Sequence, residues 1–229
     1  MAGVTNKASL IMKQMGKPFA GDGLLQPLLF NGAKNLGVEF PLTPTIQLSH
    51  SANYGTYDVT GSIYQQNYYI STPNPPMSIT ALFPANTEAE ARYSVAALHF
   101  FKSCTKSDFG TQAGARAGTP PPILKFSCYG SVHASNVPCV IRSFTYTLPE
   151  DTDYVEVDVD GEMQSVPTLA LVSLELVPQL TPKAVKDNFN LKDFASGDLY
   201  ATAYGRSDAK GVDVVMSPTY EYMLNPLSP

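Results

Sequence analysis

Apolar and polar positions alternate with the period of a strand over much of this chain. From Thr45 to Phe83, Ile46 and Leu48 alternate with polar neighbours. Tyr54–Thr60 and Ile63–Ile70 then gather aromatic and β-branched residues on either side of Gly61-Ser62, which predicts strand, turn, strand. Three prolines between Ser71 and Pro76 predict a loop, and Met77–Phe83 a further strand. The period then changes. Thr87-Glu88-Ala89-Glu90 has the form of a capping box, with acids at the positive end of the helix dipole. Tyr93, Ala96, Ala97, Phe100, Phe101 and Cys104 follow at helical spacing and predict a main helix over 87–105 with a wide apolar stripe to bury. His99 falls within that run and reads as a hydrogen-bonded helix histidine, because no second ligand is spaced with it.

Residues 107–122 are Gly- and Ala-rich, end in Pro120-Pro121-Pro122 and read as a long loop. Strands are predicted at Ile123–Gly130 and Val137–Leu148. Between Glu150 and Glu162 stand seven acids and no base, out of 20 acids in the whole chain. Within that stretch Val155, Val157 and Val159 alternate with Glu156, Asp158 and Asp160, so period two puts three valines on one strand face and three carboxylates on the other. Asp160-Gly161 favours a hairpin turn. The returning run Val166–Val177 is apolar on both faces, as in a strand deep in a sandwich or at an interface. Thr181-Pro182 opens a short helix to about residue 188, residues 191–194 add a turn, and 199–204 and 212–216 are weak strands.

The first 43 residues differ from the rest. Residues 8–15 could form a short helix, but Gly16, Pro18, Gly21 and Gly23 interrupt it, and Leu24, Leu25, Leu28, Leu29 and Phe30 follow among turn-forming residues. So broken an apolar segment makes no core of its own. It is expected to lie as an arm against the main domain or against a neighbouring subunit. The predicted organisation is an arm at 1–43, a β domain at 44–199 and a C-terminal extension at 200–229. The fold class is mainly β with one main helix (α+β).

Composition narrows the functional classes. Charged residues make up 15% of the chain, against roughly 25% in ordinary soluble domains. So lightly charged an exterior points to surfaces covered by something else. The net charge of −5 and the lack of a basic cluster argue against tight nucleic-acid binding. Nothing approaches the ~18 consecutive apolar residues of a membrane span, and no apolar stretch has signal-peptide length, so synthesis in the cytoplasm and use without export are expected.

Cys104, Cys128 and Cys139 are odd in number and match no metal or redox spacing. They read as small buried hydrophobes. His50, His99 and His133 lie in three unrelated contexts, and no local signature of hydrolysis, metal catalysis or nucleotide binding occurs. No catalytic residue, metal ligand or cofactor is therefore assigned. The acidic ladder Glu156, Asp158, Asp160 partly resembles a calcium loop but lacks its terminal bidentate Glu. Strand alternation accounts for it better, either as a solvated face or as a wall that repels polyanions.

Several segments carry a family likeness. FPANTEAEARYSVAALHFFKSCTKSDFG (83–110), GTPPPILKFSCYG (118–130), VPCVIRSFTYTLPEDTDYVEV (137–157) and VPTLALVSLELVPQLTPKAVKDNFNLKDFASGDL (166–199) resemble the baseplate tail-tube proteins of contractile-tailed phages. The likeness covers about half the chain and carries no catalytic motif. It implies a tail-tube-like β-sandwich or half-barrel, with six copies joining their strands into one ring. It also implies a place in the virion at the baseplate–tube junction, contacts with hub and tube proteins, initiation of the tube, and DNA passing through without specific binding. On that reading Glu156, Asp158 and Asp160 are candidates for a lumen-facing surface. Leu24, Leu25, Leu28, Phe30, Leu169 and Leu171 are candidates for intersubunit contacts. Two alternatives are a major tail-tube protein and a monomeric carbohydrate-binding β-sandwich using Tyr54, Tyr57, Tyr64, Tyr68 and Tyr69.

Overall fold

The computed structural model describes residues 8–12, 23–30, 35–58, 60–107, 118, 120–129, 134–159, 161–179 and 191. They are mainly β. The strands are β1 (Ser9–Met12), β2 (Leu29–Phe30), β3 (Asn35–Glu39), β4 (Thr45–Leu48), β5 (Asn53–Tyr57), β6 (Gln66–Ser71) and β7 (Met77–Pro84), followed by helix α1 (Glu88–Cys104). Then come β8 (Leu124–Cys128), β9 (Ala134–Thr147), β10 (Tyr154–Val159), β11 (Glu162–Pro167) and β12 (Leu169–Pro178). Eight strands form one antiparallel sheet in the order β2-β3-β1-β8-β9-β12-β7-β4, and β5–β6 and β10–β11 are separate hairpins. The helix and strands read at 181–216 lie outside the described residues, Leu191 apart, as does most of the loop at 107–122.

The sheet is strongly curled. Phe40, directly after β3, and Phe83 of β7 are five strand spacings apart in the sheet order, about 24 Å if the sheet were flat. Their rings nevertheless meet at 6.1 Å between centroids. The bend lies in β9, whose first half pairs with β8 and whose second half pairs with β12. The register shifts at Phe126/Cys128 and at Glu175/Leu176, and such irregularities let a strand pass from one sheet face to another. The result is a curled antiparallel sheet with α1 packed against it.

Helix α1 begins as the sequence predicts. Thr87 caps it, its hydroxyl accepting from the Glu90 amide at 3.3 Å, and the Glu90 carboxylate accepts from the Asn86 amide at 2.9 Å. The expected stripe faces inward: Ala96, Ala97, Phe100, Phe101 and Cys104 are buried. Phe101 is the hub, with ring contacts to Phe40, Phe83, Phe100 and Phe144 at 5.7–6.5 Å. His99 is exposed rather than within the stripe. At about 100° per residue it falls on the far side of the helix from Phe100 and Phe101.

Two further expectations are corrected. Residues 9–12 are strand β1, not helix, because they fill a slot between β3 and β8 and bury Leu10 completely. Pairing on both sides outweighs a weak local helix preference. Val166–Val177 is not one strand either. Val166 and Pro167 end β11, and the chain crosses at Thr168 into β12, whose residues alternate between buried and half-buried. The Thr168 amide donates to the Asp153 carbonyl, and the Thr168 carbonyl accepts from the Ala85 amide, both at 2.8 Å.

The described part of 1–43 supplies three strands of the main sheet. Leu25 and Leu28 are buried in the chain's own core. Tyr93 ties α1 to β3: its hydroxyl donates to the Glu39 carbonyl at 2.7 Å and accepts from the Glu39 amide at 2.8 Å. Burial pushes that hydroxyl up to about 12.

Two substitutions test this core. Phe101→Ala is expected to destabilise the fold by about 3–5 kcal/mol in urea unfolding, through lost burial and a residual cavity. Tyr93→Phe keeps the ring but removes the hydroxyl that bonds the Glu39 amide and carbonyl, and is expected to cost about 1–3 kcal/mol over the two hydrogen bonds.

Candidate assembly surfaces

Alternation along β7, β12 and the second half of β9 turns one set of residues onto the core and the other outward. Beneath α1 lie Met77, Ile79, Ala81 and Phe83 of β7 and Ala170, Val172, Leu174 and Leu176 of β12. The opposite face carries Ser78, Thr80, Ser143, Thr145, Ser173 and Glu175, which line a shallow groove. Its charges pair: Arg142 reaches Glu175 at 3.3 Å, and the Ser143 hydroxyl donates to the same carboxylate. This face is polar and close to neutral over most of its length. At the end remote from Met77 it becomes apolar, where Leu82 stands opposite Leu171 and Leu169 lies beside Pro84.

The four-stranded segment β9-β12-β7-β4 has two open edges among the described residues. From Ile141 to Thr147, β9 pairs with β12 on one side and has no strand partner on the other. At the other margin β4 pairs only with β7. Each neighbouring pair is antiparallel, so β4 and β9 run in opposite directions. The Ser49 amide donates to the Pro76 carbonyl in continuation of the β4–β7 register, so the alternate residues Ile46 and Leu48 point their amides at the open edge. An open edge of this kind is a template for another strand.

The acidic ladder lies elsewhere. Hairpin β10–β11 packs on the start of α1 through Val155, Val157 and Val166, which meet Ala85, Ala91 and Val95. Glu156 and Asp158 are exposed on its outer face, and Asp158 accepts from the Gly161 amide across the turn at 2.9 Å. Gly161 holds φ +86°, which favours glycine there. Asp160 lies outside the described residues, as do the side chains of Val159 and Phe30. Because α1 separates this hairpin from the sheet, its carboxylates and the Ser/Thr face look in different directions. Of the other residues read as contact candidates, Leu24, Leu169 and Leu171 are half-buried.

Hairpin β5–β6 leaves the sheet between β4 and β7. Tyr54, Tyr57, Tyr68, Tyr69 and Ile70 are exposed, and at the tip Ile63 and Tyr64 are 90% and 81% exposed. The tyrosines pack within the hairpin itself. Tyr54 and Tyr69 meet edge-to-face at 6.0 Å, and the Tyr68 ring lies over Gly55, where an added Cβ would come within 2.5 Å of it.

Among the described residues no three His, Cys, Asp or Glu side chains converge on a metal-sized site, and no helix is long and apolar enough to cross a membrane. All three cysteines are free and buried. Burial pushes the Cys139 thiol up to about 12 and Cys128 to about 11, and drives Cys104 up strongly. Neither a known family model nor a curated protein matches this chain.

These thiols give the fold an alkaline limit. Their folded pKa values lie above the ordinary 9.0, so the fold keeps them protonated while the unfolded chain releases the proton. Stability is full below pH 9 and falls as pH rises above it. For Cys104 and Cys139 the expected loss is about 1.4 kcal/mol per thiol for each pH unit. Unfolding free energies should start to fall near pH 9 and approach this slope between pH 10 and 11, and Cys139→Ala should flatten it by one thiol's share.

Proposed function

We propose that this chain is a structural ring subunit of a contractile phage tail, set at the baseplate–tube junction, where it links hub to tube and starts tube polymerisation. The observation that carries the reading is the four-stranded segment β9-β12-β7-β4. One of its faces is committed to the core, the other is polar, and its two open edges run in opposite directions. The edge of β4 in one copy can therefore add to the second half of β9 in the next, and the joint is antiparallel like every other in the sheet. Such a contact is head-to-tail. It closes into a ring when the rotation per copy permits, and the curl of the sheet supplies rotation of one sign. The likeness of residues 83–199 to tail-tube proteins sets the expected number of copies at six.

In that ring the Ser/Thr face lines the lumen. Among the described residues of this wall of hydroxyls Arg142 is paired to Glu175, so it offers DNA no unpaired cation there and the polymer passes without adhering. In this arrangement Glu156 and Asp158, read above as lumen candidates, would fall on the outer side of the ring, because β10–β11 packs on Ala91 and Val95 of α1 and the sheet on Phe100 and Phe101. A carbohydrate platform on the tyrosines is less favoured, since Tyr54, Tyr68 and Tyr69 are engaged with their own cross-strand neighbours.

The test is native mass of the full chain over a concentration series, alone and with co-expressed baseplate hub proteins. A closed ring of six is expected. Leu48→Pro deletes one outward amide of β4 and leaves the bonds to β7 intact, so it should give a monomer with a nearly unchanged thermal midpoint. A wild-type chain that stays monomeric under both conditions removes the reading.

A further inference from the structure

Strand β9 changes its commitments at one residue. Before it, Val137, Cys139 and Ile141 are buried in the core. After it, Phe144 and Tyr146 pack against the core instead. Odd positions give way to even ones because Ile141 stands opposite Leu176 and Ser143 opposite Glu175, with Arg142 left over. This is a β-bulge, in which two residues of one strand oppose one of its partner. Arg142 and Ser143 accordingly share a face, and both reach the Glu175 carboxylate at 3.3 Å.

The bulge also decides which backbone groups meet the open edge. The Gln179 amide donates to the Pro138 carbonyl, so by alternation Val177, Glu175, Ser173 and Leu171 of β12 also turn their backbone groups toward β9. Ser173 stands opposite Thr145 and Leu171 opposite Thr147. Phe144 and Tyr146 therefore turn theirs the other way, to the open edge. Strand β8 does not take them up. Its pairing with β9 ends where Leu124 meets Cys139, and the chain just upstream holds Pro120-Pro121-Pro122, which has no amide to donate. On β4 the outward amides are those of Ile46 and Leu48. Each edge thus offers two outward positions spaced by two residues, on strands that run in opposite directions.

We propose that the bulge at Arg142 is the stop that sets the register in which β4 of a second copy adds to β9, with Leu48 opposite Phe144 and Ile46 opposite Tyr146. This rests on the ring reading above and assigns its joint residue by residue. The register matches the two faces of both strands. Leu48, 39% exposed in the single copy, meets Phe144 on the core side, where Ile46 also meets Tyr146. Thr45 and Gln47 meet Thr147 and Thr145 on the hydroxyl face. A slip of one residue turns Ile46 and Leu48 onto the wrong backbone groups. A slip of two toward the bulge sets Leu48 against Arg142, where the ladder is interrupted. A slip of two the other way carries Ile46 past Thr147, where β9 ends. It is this match of direction, amide spacing and face that selects β4 of the same chain as the occupant.

In this register Gln47 and Thr145 are a pair without mutual hydrogen bonds, the closer kind in an antiparallel ladder and the one suited to a disulfide. The test mixes full-length Gln47→Cys with Thr145→Cys, with Ser143→Cys or with Thr147→Cys under mild oxidation, and records native mass in parallel. The native Cys104, Cys128 and Cys139 are buried and do not compete. The mixture with Thr145→Cys is expected to give a disulfide-linked two-chain product at least tenfold above the other two. Rings whose product is highest with Ser143→Cys or Thr147→Cys overturn the register and leave the ring reading standing. Rings with no product in any mixture show that another strand occupies the edge of β9, which overturns the proposal. A chain that stays monomeric, alone and with hub proteins, removes the ring reading and the register with it.

Discussion

The packing of Phe101 against Phe40, Phe83, Phe100 and Phe144 is the constraint on which the rest of the structure depends. These rings come from α1, from the segment after β3, from β7 and from β9. A flat antiparallel sheet could not bring β3 and β7 to the same side chain. Burying the aromatic cluster therefore obliges the sheet to curl, and the curl obliges β9 to serve two halves that face different ways. Hydrophobic burial of this kind has no direction of its own. The direction comes from the register shifts beside β9, which place the bend.

Once the sheet is bent, its outward side follows. Among the described residues the second half of β9 loses contact with β8 and keeps only β12, which leaves an edge open opposite the edge of β4. The same bend leaves β7 and β12 with one face against α1 and one face of hydroxyls. A folded chain ordinarily protects its strand edges with charges, prolines or bulges. On β4 the outward amides belong to Ile46 and Leu48, which protect nothing. Among the described residues the two open edges run in opposite directions, which is what the proposed ring requires. On the proposed reading the low charge of the sequence follows, because a surface covered in an assembly has no use for charged side chains.

Among the described residues no three His, Cys, Asp or Glu side chains converge on a metal-sized site. The titrations displaced by burial are those of thiols and of tyrosines packed in the core, and their direction favours the neutral form. Such groups stay protonated and neutral at neutral pH. The acidic ladder holds its carboxylates on the solvent side of a small hairpin, with Asp158 engaged in its own turn.

The sequence by itself determined the local elements whose signals lie within a few residues. The capped helix and its buried stripe, the valine–carboxylate alternation of β10, the turn at Gly161 and the strands from β4 to β9 were all legible, because 3.6- and 2-residue periods and capping chemistry are short-range. Tertiary structure decided what depends on pairing at a distance. Residues 9–12 became a strand because β3 and β8 offer amides on both sides, and Leu25 and Leu28 entered the core because the curled sheet leaves room for them. The run after Gly161 was divided at Thr168 between a hairpin and the main sheet. The face that α1 covers, and so the face left for a partner, could not be read from alternation, since period two separates the two sides of a strand without saying which is inside.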